Sequence, residues 1–122
     1  MYEFSDGEFE EAVELAIDSI PARFLDELEN VVFMVEDEPP EDDPDTLGFY
    51  DGVNLYDRSS GYGAIDEIPD TITIFKGPHE RLPGGRAEII EEIRKTVVHE
   101  VGHYFGMDEE QIEDMGYGSI TD

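Results

Sequence analysis

The 122-residue chain contains no cysteine, which excludes disulfides, thiolate metal ligands and a cysteine nucleophile. No stretch approaches the roughly 20 apolar residues that a membrane span needs. The opening residues Met1-Tyr2-Glu3-Phe4-Ser5-Asp6 offer neither a basic region nor an apolar run, so no signal peptide is expected and the chain is expected in the cytoplasm. Positive charge is scarce too. Seven Lys and Arg stand against 33 Asp and Glu, for a formal charge of −26, and the only lysines are Lys76 and Lys95. Such a field repels nucleic acid and anionic membranes and attracts cations and basic peptides. The expected partner is therefore a peptide or protein of basic character, with no nucleic acid and no membrane, and the chain is read as a monomer. A dense carboxylate surface with few lysines is also compatible with a salt-rich interior, where screening relieves self-repulsion.

The length fits a single domain over residues 1–122, with one modest core and no internal repeat. Ser5 followed by Glu8 forms the pattern of a capping box. Phe9, Val13, Ala16, Ile17 and Ile20 then recur at helical spacing until Pro21 interrupts them. Ser19 is the expected cap of a second helix carrying Phe24, Leu25 and Leu28. Val31-Val32-Phe33-Met34-Val35 reads as a buried strand, and the acidic, proline-rich run from Glu36 to Asp45 as a mobile, solvated loop. Asp51-Gly52 between Leu47-Gly48-Phe49-Tyr50 and Val53-Asn54-Leu55-Tyr56 is a hairpin signal. Asp57 to Ala64 is a small-residue connector. Thr71-Ile72-Thr73-Ile74-Phe75 alternates as a half-buried strand does, at an edge or inside a sheet, and Lys76-Gly77-Pro78 ends it.

A long helix is expected from Arg86 to Phe105, with Ile90, Ile93, Val97 and Val101 as its buried stripe, flanked by Ile89, Tyr104 and Phe105. Within it lies His99-Glu100-Val101-Gly102-His103, an H-E-x-x-H pattern. Residues four apart share one helix face, so His99 and His103 aim two imidazoles at one point, away from the apolar stripe. Neutral imidazoles suit a divalent zinc ion, and the carboxylate of Glu100 beside them can take a proton from a water that the ion acidifies. Gly106 can adopt the left-handed conformation that turns the chain back and brings Glu109 to the same ion. Asp108 is the alternative third ligand, although Asp108 with Gln111 also fits the start of a last short helix. His79 is a further imidazole, expected to be exposed in a loop. The residues point to metal-assisted hydrolysis, most directly of peptide bonds. With no cysteine to serve as ligand, a peptide deformylase is excluded.

His99, Glu100, His103, Gly106 and Glu109 resemble the H-E-x-x-H-x-x-G-x-x-D/E motif of the minimal zincins, small single-domain zincin-like metallopeptidases found in bacteria. Asp18 to Pro21, Val35 to Pro40, Leu47 to Gly52 and Ile72 to Pro78 are similar to that family's other segments. The resemblance implies a compact α+β domain, with N-terminal helices and a small mixed sheet packed against a long active-site helix. It also implies an open cleft beside that helix. Two features depart from familiar patterns. The third ligand would be Glu rather than the family's Asp, and the metzincin signature carries His at that position. Met115-Gly116-Tyr117 is similar to a metzincin methionine turn, with Tyr117 as a candidate fifth ligand or oxyanion donor, at a short spacing. The reading is a zinc-dependent metallopeptidase with His99, His103 and Glu109 as ligands and Glu100 as general base. A non-catalytic zinc-binding or acidic interaction domain of the same fold is the alternative.

Overall fold

The computed structural model describes residues 2–28, 30–52, 69–107 and Glu110. Helix α1 spans Asp6–Asp18. Its capping box forms as the sequence indicates: the Glu8 amide donates to Ser5 Oγ at 3.2 Å, and the Ser5 amide donates to Glu8 Oε1 at 3.0 Å. Those bonds from Ser5 hold the Glu8 carboxyl below the usual carboxylate range. Phe9, Ala12, Val13 and Ala16 form the buried face of α1.

Ser19 does not cap the next helix. Its hydroxyl turns back to donate to the Ala16 carbonyl at 2.6 Å, and its own amide reaches the carbonyls of the last turn of α1. The serine thus satisfies acceptors that a helix end leaves open. The short helix α2, Ala22–Leu25, starts from Pro21 instead, whose fixed φ suits a helix entry.

Three strands follow among the described residues: β1 Val31–Glu36, β2 Gly48–Asp51 and β3 Asp70–Phe75. The sheet order is β1-β3-β2, with β1 parallel and β2 antiparallel to β3. β3 is therefore the inner strand, and Ile72 and Ile74 on it are fully buried. β1 differs from the expected buried strand. It alternates partly buried and exposed residues, because one face of the sheet packs inward while the other remains open. Across the open face Met34 pairs with Thr73, which pairs with Phe49. Val32, Met34 and Phe49 are 44%, 41% and 54% exposed there. A run of apolar residues does not reveal by itself whether one or both faces will be covered.

The acidic loop is also less free than its composition suggests. The Arg81 guanidinium donates to both Glu38 carboxylate oxygens at 3.0 Å and to the Pro44 carbonyl at 2.8 Å. The Gly77 amide donates to the Asp37 carbonyl at 2.8 Å. Arg81 accordingly holds Glu38 below the usual carboxylate range, and Glu38 raises Arg81.

A short helix α3, Lys76–Glu80, stands where a loop was expected. Pro78 falls in its first turn, where a missing N–H leaves no intrahelical bond unmade. Helix α4, Arg86–Tyr104, closes the described fold. It packs along α1 and against β2 and β3. The architecture is a small α+β arrangement of an N-terminal helix, a three-stranded mixed sheet and a long C-terminal helix lying on both. Among the described residues no helix is long and apolar enough to cross a membrane. Val53 to Tyr56 and Asp57 to Ala64 lie outside the described residues, as do Asp108, Glu109, Gln111, Met115, Gly116 and Tyr117.

Candidate metal centre

Helix α4 carries the candidate site, and its sequence determines both its ends. At the start, the Gly85 amide donates to Glu88 Oε2 at 3.2 Å. At the finish, Gly106 takes φ 81°, in the left-handed region. The Gly106 amide donates to the His103 carbonyl and the Met107 amide to the Gly102 carbonyl, both at 3.0 Å. These paired bonds make a Schellman motif, which stops the helix and redirects the chain. Ile89, Ile93, Val97 and Tyr104 are fully buried and Val101 is 4% exposed. Ile93, Val97 and Val101 of the expected stripe pack inward, but Ile89 and Tyr104, expected at its flanks, join them there, whereas Ile90, expected in the stripe, is only partly buried, as is Phe105.

The two histidines lie to one side of that stripe. Their Nε2 atoms are 3.1 Å apart, and the rings meet edge to face with centroids 4.7 Å apart. His99, Glu100 and His103 each offer one ligand atom, and these atoms all lie within 4.8 Å of one another. Two nitrogens bound tetrahedrally to zinc at about 2.0–2.1 Å would stand about 3.3–3.4 Å apart. The observed separation is close to that, so the pair fits a zinc ion with little movement of either ring. His99 is 2% exposed and Glu100 6%, while His103 is partly open.

Glu100 lies against the sheet. A β-carbon on Gly48 of β2 would come within 3.2 Å of Glu100 Cγ and 2.7 Å of Thr96 Cγ2. The glycine therefore lets α4 approach β2 closely, one helical turn above and at the level of Glu100.

His79 is not the exposed loop residue that its surroundings in sequence suggest. It is fully buried beneath α4, with the Phe9 ring 5.7 Å away. Its Nδ1 lies 2.7 Å from the Phe75 carbonyl oxygen and its Nε2 lies 2.9 Å from Thr96 Oγ1. A carbonyl can only accept, so Nδ1 carries the proton, and Nε2 of the neutral ring accepts from the Thr96 hydroxyl, whose one hydrogen is shared with the Glu92 carbonyl 2.9 Å away. Burial pushes the His79 pKa down to about 4 from its ordinary 6.5, against a smaller upward effect of the Phe75 carbonyl. With both ring nitrogens engaged away from His99 and His103, His79 takes no part in the metal cluster. Thr96 is a neighbour of the site that the helical pattern alone does not single out. A hydroxyl in the middle of an otherwise apolar or charged helix is the signal that could have found it.

The expected third ligand Glu109, its alternative Asp108 and the residues Met115 and Tyr117 lie outside the described residues. The bend at Gly106 lies within them and has the left-handed form expected.

A family model described as zincin-like metallopeptidase matches residues 28–118, from just before β1 to beyond the bend. No curated protein matches the chain. The match covers most of the sequence and includes the whole His99-Glu100-His103 cluster. The chain belongs to the zincin-like metallopeptidase family.

Proposed function

We propose that the protein is a zinc-dependent peptidase in which His99, His103 and Glu109 hold the ion and Glu100 is the general base. The observation that carries this reading is the approach of the two Nε2 atoms to 3.1 Å with the Glu100 carboxylate in the same cluster. Zinc, when bound in such a set, lowers the pKa of water and polarises a carbonyl. Glu100 accepts a proton from water as its oxygen attacks the carbonyl carbon of the scissile peptide. It then delivers that proton to the amine nitrogen as the C–N bond breaks. Free acid and free amine result, and the carboxylate is restored.

The substrate class follows from charge. At −26, the protein attracts basic segments and repels acidic ones over distances up to a Debye length. An extended peptide rich in Lys or Arg is the substrate proposed here, taken up by a single chain.

The test is Glu100→Gln, which keeps the shape of the side chain and removes its basicity. Turnover of a basic peptide library is expected to fall about a hundredfold or more, with zinc content unchanged. Turnover retained in the variant contradicts the assigned base. A wild-type protein that binds zinc and cuts no peptide in the library would instead be a non-catalytic zinc-binding domain.

A further inference from the structure

His99, Glu100 and His103 all belong to one helix. Their mutual spacing is set inside α4 and survives any movement of that helix as a body. The seating of Glu100 on the sheet is a different matter, because it depends on how closely α4 approaches β2. That approach is set where Thr96 Cγ2 and Glu100 Cγ both lie against Gly48.

Two contacts hold the Thr96 hydroxyl at this place: the Glu92 carbonyl of its own helix, 2.9 Å away, and the His79 ring, the one that ties it to the sheet. His79 connects the carbonyl of Phe75, the last residue of β3, to the hydroxyl of Thr96 on α4. The imidazole is fully buried and backed by Phe9 of α1, so it cannot swing away without opening the core. A hydrogen bond in such a dry setting is electrostatically strong, and a buried partner left unmatched is costly. An apolar side chain would fill the same space with no polar group to satisfy. An imidazole there contributes direction: together with the Glu92 carbonyl it fixes the side-chain rotamer of Thr96, and with it the methyl group that meets Gly48.

We infer that His79 is a positioning residue for Glu100, acting through Thr96 to seat the Thr96 and Glu100 side chains against Gly48. The inference rests on the reading of Glu100 as general base. With the link cut, α4 retains its two imidazoles and their ability to bind zinc. Glu100 gains room to rotate away from the line along which it takes up a proton. A displacement of about 1 Å in a reacting group can cost about a hundredfold in rate.

The experiment uses the full chain and the variant Thr96→Val, which keeps the methyl contact and removes the hydroxyl. Three quantities are read: zinc affinity by competition with a chelator, kcat and KM on a basic peptide, and the nuclear Overhauser contact between Gly48 Hα and Glu100 Hγ in the zinc-loaded protein. The expected result is zinc affinity within about twofold and KM near wild type. Alongside these, kcat is lowered about tenfold or more and the Gly48–Glu100 contact is weakened. Thr96→Ser, which restores the hydroxyl but not the methyl group that meets Gly48, is expected to recover only part of the rate and of the contact. A Thr96→Val protein with wild-type kcat and contact overturns the inference, as does one that loses zinc. His79→Phe, which fills the same cavity without either nitrogen and leaves the Thr96–Glu92 bond in place, is read by the same measurements and stands in should Thr96→Val fail to fold; wild-type kcat and contact in His79→Phe overturn the inference. Should the wild type cut no peptide, the reading of Glu100 as base fails separately. The Gly48–Glu100 contact then still decides whether His79 positions this side chain.

Discussion

The amide of Met107 donates to the carbonyl of Gly102 at 3.0 Å, and between them Gly106 sits at φ 81°. This bond closes the turn through which the chain leaves the candidate metal centre, and residue 109 is reached only by way of it. Gly106→Ala puts a β-carbon into the left-handed region and is expected to lower stability by about 1 kcal/mol. Zinc affinity is expected to fall by about tenfold or more, as when a group that orients a ligand is lost. A chelator titration checks it. Unchanged affinity would mean that no ligand lies beyond the bend.

His79 gives stability a dependence on pH. Its pKa is lowered from 6.5 to about 4 in the folded protein, so between those values the unfolded chain binds a proton at this position and the folded chain does not. Stability contributed by the neutral, buried imidazole is therefore complete above pH 6.5 and lost as pH falls toward 4. The loss reaches about 3 kcal/mol at the lower end and levels off below it. Denaturant titrations of wild type and His79→Gln at several pH values isolate the effect. The wild type's advantage is expected to be constant above pH 6.5 and to shrink below it. An advantage that stays constant down to pH 4 would place a charged imidazole in the core.

Tyr50 on β2 and Asp70 on β3 are joined by a side-chain hydrogen bond, with the Tyr50 hydroxyl donating to Asp70 Oδ2 at 2.7 Å. Asp70 is 4% exposed, and a β-carbon on Gly52 would run into its carboxylate. Tyr50→Phe keeps the ring that packs edge-on against Tyr104 and deletes a donor to a buried charge. Stability is expected to drop by about 2 kcal/mol. A loss below about 0.5 kcal/mol, measured by urea unfolding, would show that other donors compensate Asp70 fully.

Much of this was legible in the sequence, and the parts that were not share a cause. The capping box at Ser5 and Glu8, the inward stripe of α4 and the glycine bend at Gly106 all depend on neighbours within one or two turns. Local spacing specifies them. The burial of His79 depends on Phe9, Phe75 and Thr96, residues from three separate elements. The tie from Arg81 to Glu38 spans 43 positions, which turned an acidic run that reads as free into an anchored loop. The exposure of Val32 and Met34 follows from which sheet face the helices cover. The role of Gly48 was hidden for the same reason: its neighbour Glu100 comes from the opposite layer.

Zinc should also stabilise the fold, because both imidazoles lie on a helix that packs against α1 and the sheet. At a hundred times its dissociation constant, the ion adds about 2.7 kcal/mol. Thermal unfolding is expected to shift upward by on the order of 10 °C, and a chelator should reverse the shift. His103→Ala should abolish it. A zinc-dependent shift that persists in that variant places the ion elsewhere.

The central claim is that His99 and His103 grip one zinc ion on the face of α4. Diffraction at the zinc absorption edge from zinc-loaded crystals tests it most directly. The account requires a single anomalous peak about 2.0–2.1 Å from both Nε2 atoms, with a carboxylate from beyond Gly106 completing the set. A peak at another site, or none between the two imidazoles, would contradict it.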